Sequence, residues 1–424
     1  MKTGISKHLA VVALLLIGFT LSGNAQSSEL IEIHKLIKQK DFFKAMEYYK
    51  QKREAIPTGY GLVIEATLDN AFNNLEASDR KIAELMKKTY LIPDSLMLQL
   101  YRLKEDNAVK LFKYKEAKEA VSIILDQYKP LVDENEISDL ENNNKIWTAL
   151  ENEPPQHVII NNDNRIKIKK DKAGLNNLSV VVANDSLDFV FDTGANISTT
   201  IKSIAQKLNM KIIPSDIQVG SITGIKVNAQ LAVCKELKIN NIIVKNAIFL
   251  VFDDKDMAFP QIDYQIYGII GFPIISAMKE IQITHDGYFI VPQTETTLFG
   301  DSNMALNGLT PLIYIDGKHY TFDTGADSSM LYHPYYIENK IEIDKNHKIE
   351  PISFGGAGGH KQFDGFKIDA VFNILGKEVI LNNIDLLKEP LGDKQKVYGN
   401  IGQDFIQKFE KMTLNFSKMF IKFD

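Results

Sequence analysis

The chain has 424 residues, enough for two or three domains, and its 45% hydrophobic and 24% charged residues are typical of a folded globular protein. A net charge of −5 and an isoelectric point near 6.0 argue against a nucleic-acid-binding protein, which usually carries a basic surplus. The single cysteine, Cys234, excludes an intramolecular disulfide framework and a zinc site built from cysteines.

The amino terminus has the pattern of a secretory signal peptide. Two lysines precede an apolar run of 13 residues, 9–21, which is short for a bilayer span and suits the core of a signal peptide. Gly23 and Ala25 are the small residues that a signal peptidase reads, so we predict cleavage before Gln26. The alternative is an uncleaved membrane anchor. No later segment is long and apolar enough to cross a membrane.

Residues 26–150 have the spacing of amphipathic helices and little glycine. Leu30 and Ile33 begin a repeat on one helical face, and the same spacing continues through later segments. The stretches around Ala45 and Ala117 resemble each other, and their separation is about twice the 34-residue tetratricopeptide period. We predict an all-α domain of tetratricopeptide-like helical hairpins that offers a surface to a protein partner. A plain helical domain is the alternative.

Strand signals replace helical ones after Pro154, and the rest of the chain contains an internal repeat. Two predicted hairpins end in the same five residues, Phe-Asp-Thr-Gly-Ala, at residues 191–195 and 322–326. The shift in numbering that relates these two strings also relates the Ile-Gly pairs at residues 270–271 and 401–402. Such a recurrence predicts two copies of one all-β unit.

The repeated Asp-Thr-Gly motif predicts a pair of carboxylates. Each aspartate ends an apolar strand, and the glycine two residues later leaves a backbone N–H free to face the carboxylate. If the two loops meet, Asp192 and Asp323 share one proton, because two adjacent carboxylates resist ionising together. One carboxylate then activates a water molecule as a base while the other protonates a substrate carbonyl. This chemistry cleaves an amide bond with no metal or cofactor.

The duplicated motif resembles the active-site motif of retropepsin-like aspartic proteases, in the pepsin and retropepsin superfamily. The resemblance covers about residues 179–424 in duplicate, with two lobes of retropepsin size in a single chain. It implies an all-β bilobal acid-protease fold with pseudo-twofold symmetry, in which a cross-brace joins the active-site loops and a later strand lies beneath each aspartate. The residues concerned are, in the loops, Thr193, Gly194, Thr324 and Gly325, and, in the strands, Ile270, Gly271, Ile401 and Gly402.

A glycine-rich segment follows each aspartate at the distance where this family places its flap hairpins. Glycine-rich tips let a flap open for a peptide and close to exclude water. The alternative for each segment is an ordinary hairpin turn. The flap candidates are, in the first copy, Gly220, Ser221, Ile222, Thr223 and Gly224, and, in the second copy, Gly355, Gly356, Ala357, Gly358 and Gly359.

The sequence departs from the family pattern at three places. Phe272 and Gln403 stand where retroviral members have an arginine, so the ion-pair network of the retroviral dimer is not expected. Asn400 interrupts the apolar strand before the second Ile-Gly pair, which predicts imperfect packing there. Ala195 and Ala326 replace the Ser or Thr of pepsin-type sites, whose hydroxyl lowers the carboxylate pKa. We therefore predict a pH optimum less acidic than pepsin's.

The sequence as a whole predicts an α+β multidomain protein with a signal peptide (1–25), a helical domain (26–150) and two protease lobes (151–296 and 297–424). We expect an aspartic endopeptidase that acts on peptide or protein substrates as a monomer, with no metal, no cofactor and no nucleic-acid partner. The alternative is a non-catalytic protein that binds peptides in the same groove. The signal peptide predicts export, to the periplasm or the outside of a bacterial cell.

Overall fold

The computed structural model describes residues 28–87, 92–220, 226–297, 300–356, 359–374, 376–391 and 396–424 of the chain. These residues belong to two units, which divide between Asn144 and Lys145, a few residues before the domain boundary predicted after residue 150. The predicted signal peptide lies outside the described residues. No helix in the described ranges is long and apolar enough to cross a membrane.

The first unit is helical, in agreement with the sequence prediction. In its first helix the buried Leu30, Ile33 and Leu36 lie on one face, whereas Ile31 and Lys35 are exposed. This is the pattern of an amphipathic helix packed on one side. Helices α1 to α7 are Ser28–Lys38, Phe42–Lys52, Thr58–Ala71, Leu75–Met86, Asp94–Lys110, Tyr114–Ile123 and Glu134–Leu150, and shorter helical turns are Arg53–Ala55, Ile124–Tyr128 and Lys129–Leu131.

The second unit is built mainly from strands, and we describe it as a first half (residues 151–296) and a second half (297–424). Strands β1 to β14 of the first half are His157–Ile160, Asn164–Lys167, Lys169–Lys170, Asn176–Val182, Asp185–Phe191, Ser198–Ile201, Lys211–Gly220, Lys226–Ile239, Ile242–Phe252, Ala258–Phe259, Tyr264–Gln265, Gly268–Ile270, Glu280–Thr284 and Tyr288–Val291. Strands β15 to β24 of the second half are Met304–Asn307, Thr310–Ile315, Lys318–Phe322, Met330–Leu331, Glu350–Gly356, Gly359–Ile374, Lys377–Leu387, Gly399–Ile401, Lys411–Asn415 and Phe420–Phe423. The connecting helices α8 to α11 are Lys202–Lys207, Phe272–Ala277, His333–Asn346 and Gln403–Ile406, and the short 3₁₀ turns are Asp254–Met257 and Pro260–Ile262.

The main sheets of the two halves contain the same strand pairings around their centres. The order is β1-β9-β6-β12-β5-β4-β8-β7 in the first half, with β3 beside β4, and β15-β16-β17-β22-β18-β21-β20-β19 in the second. Strand β12 runs parallel to β5 and antiparallel to β6, as β22 does to β17 and β18. Ile270 pairs with Phe191 and, in the second copy of the repeat, Ile401 pairs with Phe322. The repeat in the sequence is thus a repeat in strand pairing.

A further sheet contains strands from both halves, in the order β2-β14-β13-β23-β24. Strand β13 pairs antiparallel with β23, from Glu280 opposite Asn415 to Thr284 opposite Lys411. Strand β2 comes from the start of the first half and β24 from the end of the chain. Backbone hydrogen bonds therefore join the two halves at a distance in sequence of more than one hundred residues.

Aromatic side chains fill the interior of the second unit and orient the two aspartates. Phe191 and Phe322 directly precede Asp192 and Asp323, and both rings are fully buried. Because successive side chains in a strand point to opposite faces, burial of these rings directs the aspartates away from the core. The other large buried rings are Phe189, Phe249, Phe272, Phe289, Phe366, Phe405 and Phe416.

Candidate active site

The two Asp-Thr-Gly loops lie against each other and are joined by reciprocal hydrogen bonds. The Thr193 N–H donates to Thr324 Oγ1, and the Thr324 N–H donates to Thr193 Oγ1, both at 3.0 Å. The Thr193 hydroxyl donates to the carbonyl of Phe322 at 3.0 Å, and the Thr324 hydroxyl donates to that of Phe191 at 3.3 Å. Both threonines are fully buried. A buried group left without its hydrogen bond costs about 1–3 kcal/mol, so these bonds hold the two loops together firmly.

The loops bring the two aspartates face to face. A Cβ atom on Gly194 would lie 2.7 Å from Oδ2 of Asp323, and one on Gly325 would lie 2.6 Å from Oδ1 of Asp192. Both distances are far below van der Waals contact, so glycine is required for each carboxylate to approach the opposite loop. The structure thus places together the two aspartates that the sequence singled out.

Backbone N–H groups hold each carboxylate within its own loop. Oδ1 of Asp192 accepts from the Gly194 N–H at 2.7 Å and from the Ala195 N–H at 3.2 Å. Oδ1 of Asp323 accepts from the Gly325 N–H at 2.8 Å. Such donors favour the ionised form of a carboxylate, so the loops are built to hold negative charge.

The pKa of Asp192 is raised well above that of an isolated carboxyl. Burial is the main cause, because it disfavours the charged form, and the charge of Asp323 and a hydrogen bond with it act in the same direction. The N–H groups of Gly194 and Ala195 oppose this shift without cancelling it. Asp192 therefore keeps its proton to a less acidic pH than an isolated carboxyl would. In the described part of the chain, no group of three or more His, Cys, Asp or Glu side chains is arranged to hold a metal ion.

A strand runs beneath each aspartate at the position that the family resemblance implies. The carbonyl of Ile270, on β12, accepts from the Asp192 N–H at 2.9 Å. The carbonyl of Ile401, on β22, accepts from the Asp323 N–H at 3.0 Å. Because both bonds are between main-chain atoms of the sheet, they fix the position of each aspartate relative to the strand beneath it.

The glycines that end these strands allow the active-site loops to pass close by. A Cβ on Gly271 would lie 2.6 Å from the carbonyl oxygen of Ala195, and one on Gly402 would lie 2.9 Å from that of Ala326. The carbonyl oxygen of Ala195 also accepts from the Phe272 N–H at 2.8 Å, and that of Ala326 accepts from the Gln403 N–H at 2.9 Å. Any larger residue at either glycine would push a loop away from its strand.

Two serines support these glycines, and sequence reasoning missed them. Ser198 Oγ accepts from the Gly271 N–H at 2.9 Å, and Ser329 Oγ accepts from the Gly402 N–H at 3.0 Å. Both side chains are buried. They occupy equivalent positions in the two copies of the repeat, so the repeat offset was the available signal, but nothing in the local sequence distinguishes them from ordinary serines.

The flap candidates that the structure describes lie at the ends of paired strands in long hairpins. Strands β7 and β8 pair as far as Gly220 opposite Lys226, and β19 and β20 pair as far as Gly356 opposite Gly359. The backbones of Gly220, Gly355, Gly356 and Gly359 therefore belong to the hairpin arms. The other candidates lie outside the described residues: Ser221, Ile222, Thr223, Gly224, Ala357 and Gly358.

Gln403, which stands where an arginine was missing, links the two halves beside the Asp323 loop. It is buried, and its Nε2 donates to the carbonyl of Thr324 at 3.0 Å. Its Oε1 accepts from Lys170 Nζ, on β3 of the first half, at 2.6 Å. The equivalent residue of the first half, Phe272, instead packs edge-to-face on Phe416, with ring centroids 5.6 Å apart. At this position of the second half, the structure therefore has a neutral amide bound to a lysine.

Asn400, which the sequence suggested would pack imperfectly, has a polar partner. It pairs with Thr321 across β22 and β17, and Thr321 Oγ1 donates to Asn400 Oδ1 at 2.6 Å. The equivalent residues of the first half, Ile269 and Val190, also pair with each other. The second half thus has a polar pair where the first has an apolar pair, and the expected packing defect is absent at this described position.

Comparison with known families supports the resemblance seen in the motifs. Residues 178–274 match a family model described as aspartyl protease. The match includes the loop of Asp192 and strand β12 beneath it, and it supports an aspartyl protease of the pepsin or retropepsin type. A comparison with curated proteins finds no match.

Proposed function

We propose that this protein is an aspartic endopeptidase whose two catalytic carboxylates, Asp192 and Asp323, come from two lobes of one chain. The observation that carries the proposal is the reciprocal bonding of Thr193 and Thr324, which holds the two carboxylates against each other. A binding groove gains nothing from two facing carboxylates, since their repulsion and burial cost stability, whereas hydrolysis requires them. The aspartyl protease match over residues 178–274 supports the same reading.

The reaction follows from the shared proton. The ionised carboxylate accepts a proton from a water molecule as the water oxygen attacks the carbonyl carbon of the substrate amide, and the protonated carboxyl gives its proton to the carbonyl oxygen. A tetrahedral diol results. One diol hydroxyl then gives its proton to the carboxylate that is now ionised. The carboxyl that took the proton from water protonates the amide nitrogen, so that the C–N bond breaks. The pair ends with one proton, as it began.

The same proposal extends to the architecture around the pair. The repeated strand pairings and the reciprocal threonine bonds support a pseudo-twofold axis between the lobes, and hence activity as a monomer. Hairpins β7–β8 and β19–β20 would serve as flaps over a peptide or protein substrate. The tetratricopeptide-like hairpins would bind a protein partner. The signal-peptide pattern supports export to the periplasm or the cell exterior, which N-terminal sequencing of the mature protein tests.

Turnover of a mixed peptide library tests the proposed activity. The wild-type protein, Asp192→Asn and Asp323→Asn are compared, with and without a statine-type inhibitor. We expect each substitution to reduce kcat/KM by at least about 10³-fold, because the pair acts as one unit. Asp185→Asn, at the other end of strand β5, is the control and should retain activity.

The outcomes separate the two functions considered. Binding of peptides by the wild type without cleavage would establish the alternative, a peptide-binding protein. Retained cleavage in either aspartate variant would exclude a single site shared by both lobes.

A further inference from the structure

The surface beside the catalytic pair differs in chemistry between the two lobes. Val190 and Thr321 each lie two residues before a catalytic aspartate. Because side chains alternate along a strand, both lie on the aspartate's side of the sheet, opposite the aromatic core. Their partners on the neighbouring central strands are Ile269 for Val190 and Asn400 for Thr321. The equivalent pairs are therefore apolar in the first lobe and polar in the second.

In the first lobe this surface opens into a cavity of about 160 Å³. Val190 and Gly268 line it, together with Tyr267, whose residue surface is 46% exposed. The backbone of Gly268 packs directly on the ring of Phe189, since a Cβ there would lie 2.4 Å from that ring. The side chains of Val190, Ile266 and the two tyrosines, Tyr264 and Tyr267, give the cavity an apolar and aromatic part that suits an apolar group, beside six polar or charged side chains.

The polar residues on the rim of this cavity already have partners. Lys169 Nζ donates to Asp188 at 2.7 Å. Asp171 Oδ2 accepts from the Tyr264 hydroxyl at 2.5 Å and from Asn177 Nδ2 at 2.8 Å. A polar side chain that enters the cavity therefore competes with these bonds, whereas an apolar side chain gains contact with Val190 and Ile266.

In the second lobe the corresponding surface presents hydrogen-bonding groups. Thr321 and Asn400 are both partly exposed and are joined by a bond from Thr321 Oγ1 to Asn400 Oδ1. The buried Tyr332 also forms a hydrogen bond with Thr321, where the first lobe has the apolar Ile201. Within the described chain no acceptor faces Asn400 Nδ2, so its two N–H donors are available to a ligand.

The contrast is confined to these strand pairs. On the other side of the central strand the polarity is reversed, since Ile269 has Thr199 as its neighbour and Asn400 has Met330. The lobes therefore do not differ in overall polarity. The difference lies at the pair of positions closest to each aspartate on its own side of the sheet, Val190 with Ile269 and Thr321 with Asn400.

We propose that these strand pairs form one apolar and one polar side-chain subsite on the two sides of the cleaved bond. This inference rests on the proposed protease function and names its substrate class: peptides with an apolar residue on one side and a residue bearing a hydrogen-bond acceptor on the other. An apolar side chain placed over Asn400 would strip water from its donors without replacing those hydrogen bonds, which disfavours it about tenfold.

Profiling of cleavage sites with the peptide library tests the inference. The key variant, Thr321→Val/Asn400→Ile, copies into the second lobe a pair that already packs in the first. We expect it to shift the preference on the polar side toward apolar residues by about tenfold, with the other side unchanged. The reciprocal variant, Val190→Thr/Ile269→Asn, should shift the opposite side toward acceptor-bearing residues.

The control variant makes the same apolar-to-polar substitutions at a strand pair away from the two aspartates. Val371 and Ile380 are exposed cross-strand partners on β20 and β21, and Val371→Thr/Ile380→Asn should leave the cleavage profile as in the wild type. An unchanged profile in Thr321→Val/Asn400→Ile, with cleavage intact, would overturn the subsite inference alone. A wild-type protein that cleaves no library peptide would overturn the proposed function, and the inference with it.

Discussion

At the level of single residues, the alanines after each Asp-Thr-Gly set the number of donors around the carboxylates. The Ala195 N–H donates to Asp192 Oδ1 at 3.2 Å, whereas the Ala326 N–H donates to the main-chain carbonyl of Asp323 at 3.3 Å. Neither alanine adds a hydroxyl donor. Burial and the charge of Asp323 raise the pKa of Asp192, so Asp192 keeps its proton to a less acidic pH than an isolated carboxyl would.

Replacing both alanines with serine should move the pH optimum of cleavage downward. Each new hydroxyl would donate to the adjacent carboxylate and favour its ionised form. A hydrogen bond to a charged group contributes about 1.5–3 kcal/mol, and one pKa unit corresponds to about 1.4 kcal/mol, so we expect a shift of roughly one unit. The measurement is kcat/KM against pH for the wild type and Ala195→Ser/Ala326→Ser. Ala173→Ser, on an exposed loop, is the control, and an upward shift or none in the double variant would refute this account.

At the level of elements, a buried glutamate fastens the connection between the halves to the shared sheet. Glu280, on β13, is fully buried. Its carboxylate accepts from the N–H and the hydroxyl of Thr296, both at 2.7 Å, from Asn415 Nδ2 at 2.9 Å and from Gln282 Nε2 at 2.8 Å. Burial alone would raise the pKa of Glu280, but these hydrogen bonds outweigh it and hold the pKa below its usual range.

Glu280→Gln should destabilise the β-rich unit by about 2–3 kcal/mol at neutral pH, because the new amide NH₂ would face donors. A lowered pKa in the folded state means that the carboxylate contributes stability above its unfolded pKa, near 4.5, and loses it as the pH falls further. The wild type should therefore lose more stability than the variant as the pH falls below about 4.5. Thermal unfolding of the full chain at several pH values measures this.

The control for that experiment is Glu236→Gln, which removes a carboxylate from an exposed ion pair with Lys238. It should change the unfolding midpoint little, since exposed pairs contribute at most about 1 kcal/mol. An equal effect of the two substitutions would mean that the Glu280 bonds do not stabilise the connection.

Elements with local signals were predictable from the sequence, and those defined by distant pairings were not. The hairpin β16–β17 turns at Asp316 and Gly317, both with positive φ (51° and 73°), as a two-residue hairpin turn requires. The shared sheet has no such signal, because Glu280 and Asn415 pair across 135 residues and each strand alone fits several partners. The Asp192–Asp323 pair was predictable only because the repeat made a long-range contact visible twice.

At the scale of the whole second unit, the two halves are joined by the shared sheet, the threonine bonds and the link from Lys170 through Gln403 to Thr324. This link acts on one aspartate loop only, since Phe272 stands in place of Gln403 in the first half. Partial burial lowers the pKa of Lys170. The charges of Asp171 and Asp327 act in the opposite direction but do not cancel the effect of burial. Nothing in the sequence connects Lys170 with Gln403, which are 233 residues apart.

We expect the Asp323 loop to open more readily when either side chain of this link, Lys170 or Gln403, is removed. Much of the Lys170 side chain is exposed, so we expect an effect near 1 kcal/mol, or about fivefold, in the opening equilibrium of the buried amides. Hydrogen exchange of the peptide over residues 322–326 should become about fivefold faster in Lys170→Met. It should be faster still in Gln403→Met, which also removes the donor to the Thr324 carbonyl. Because Lys170 acts on the loop through Gln403, the double variant should be little faster than Gln403→Met alone. Lys169→Met, which removes a neighbouring exposed ion pair, should leave this exchange unchanged, and additive effects in the double variant would show that the two residues act separately.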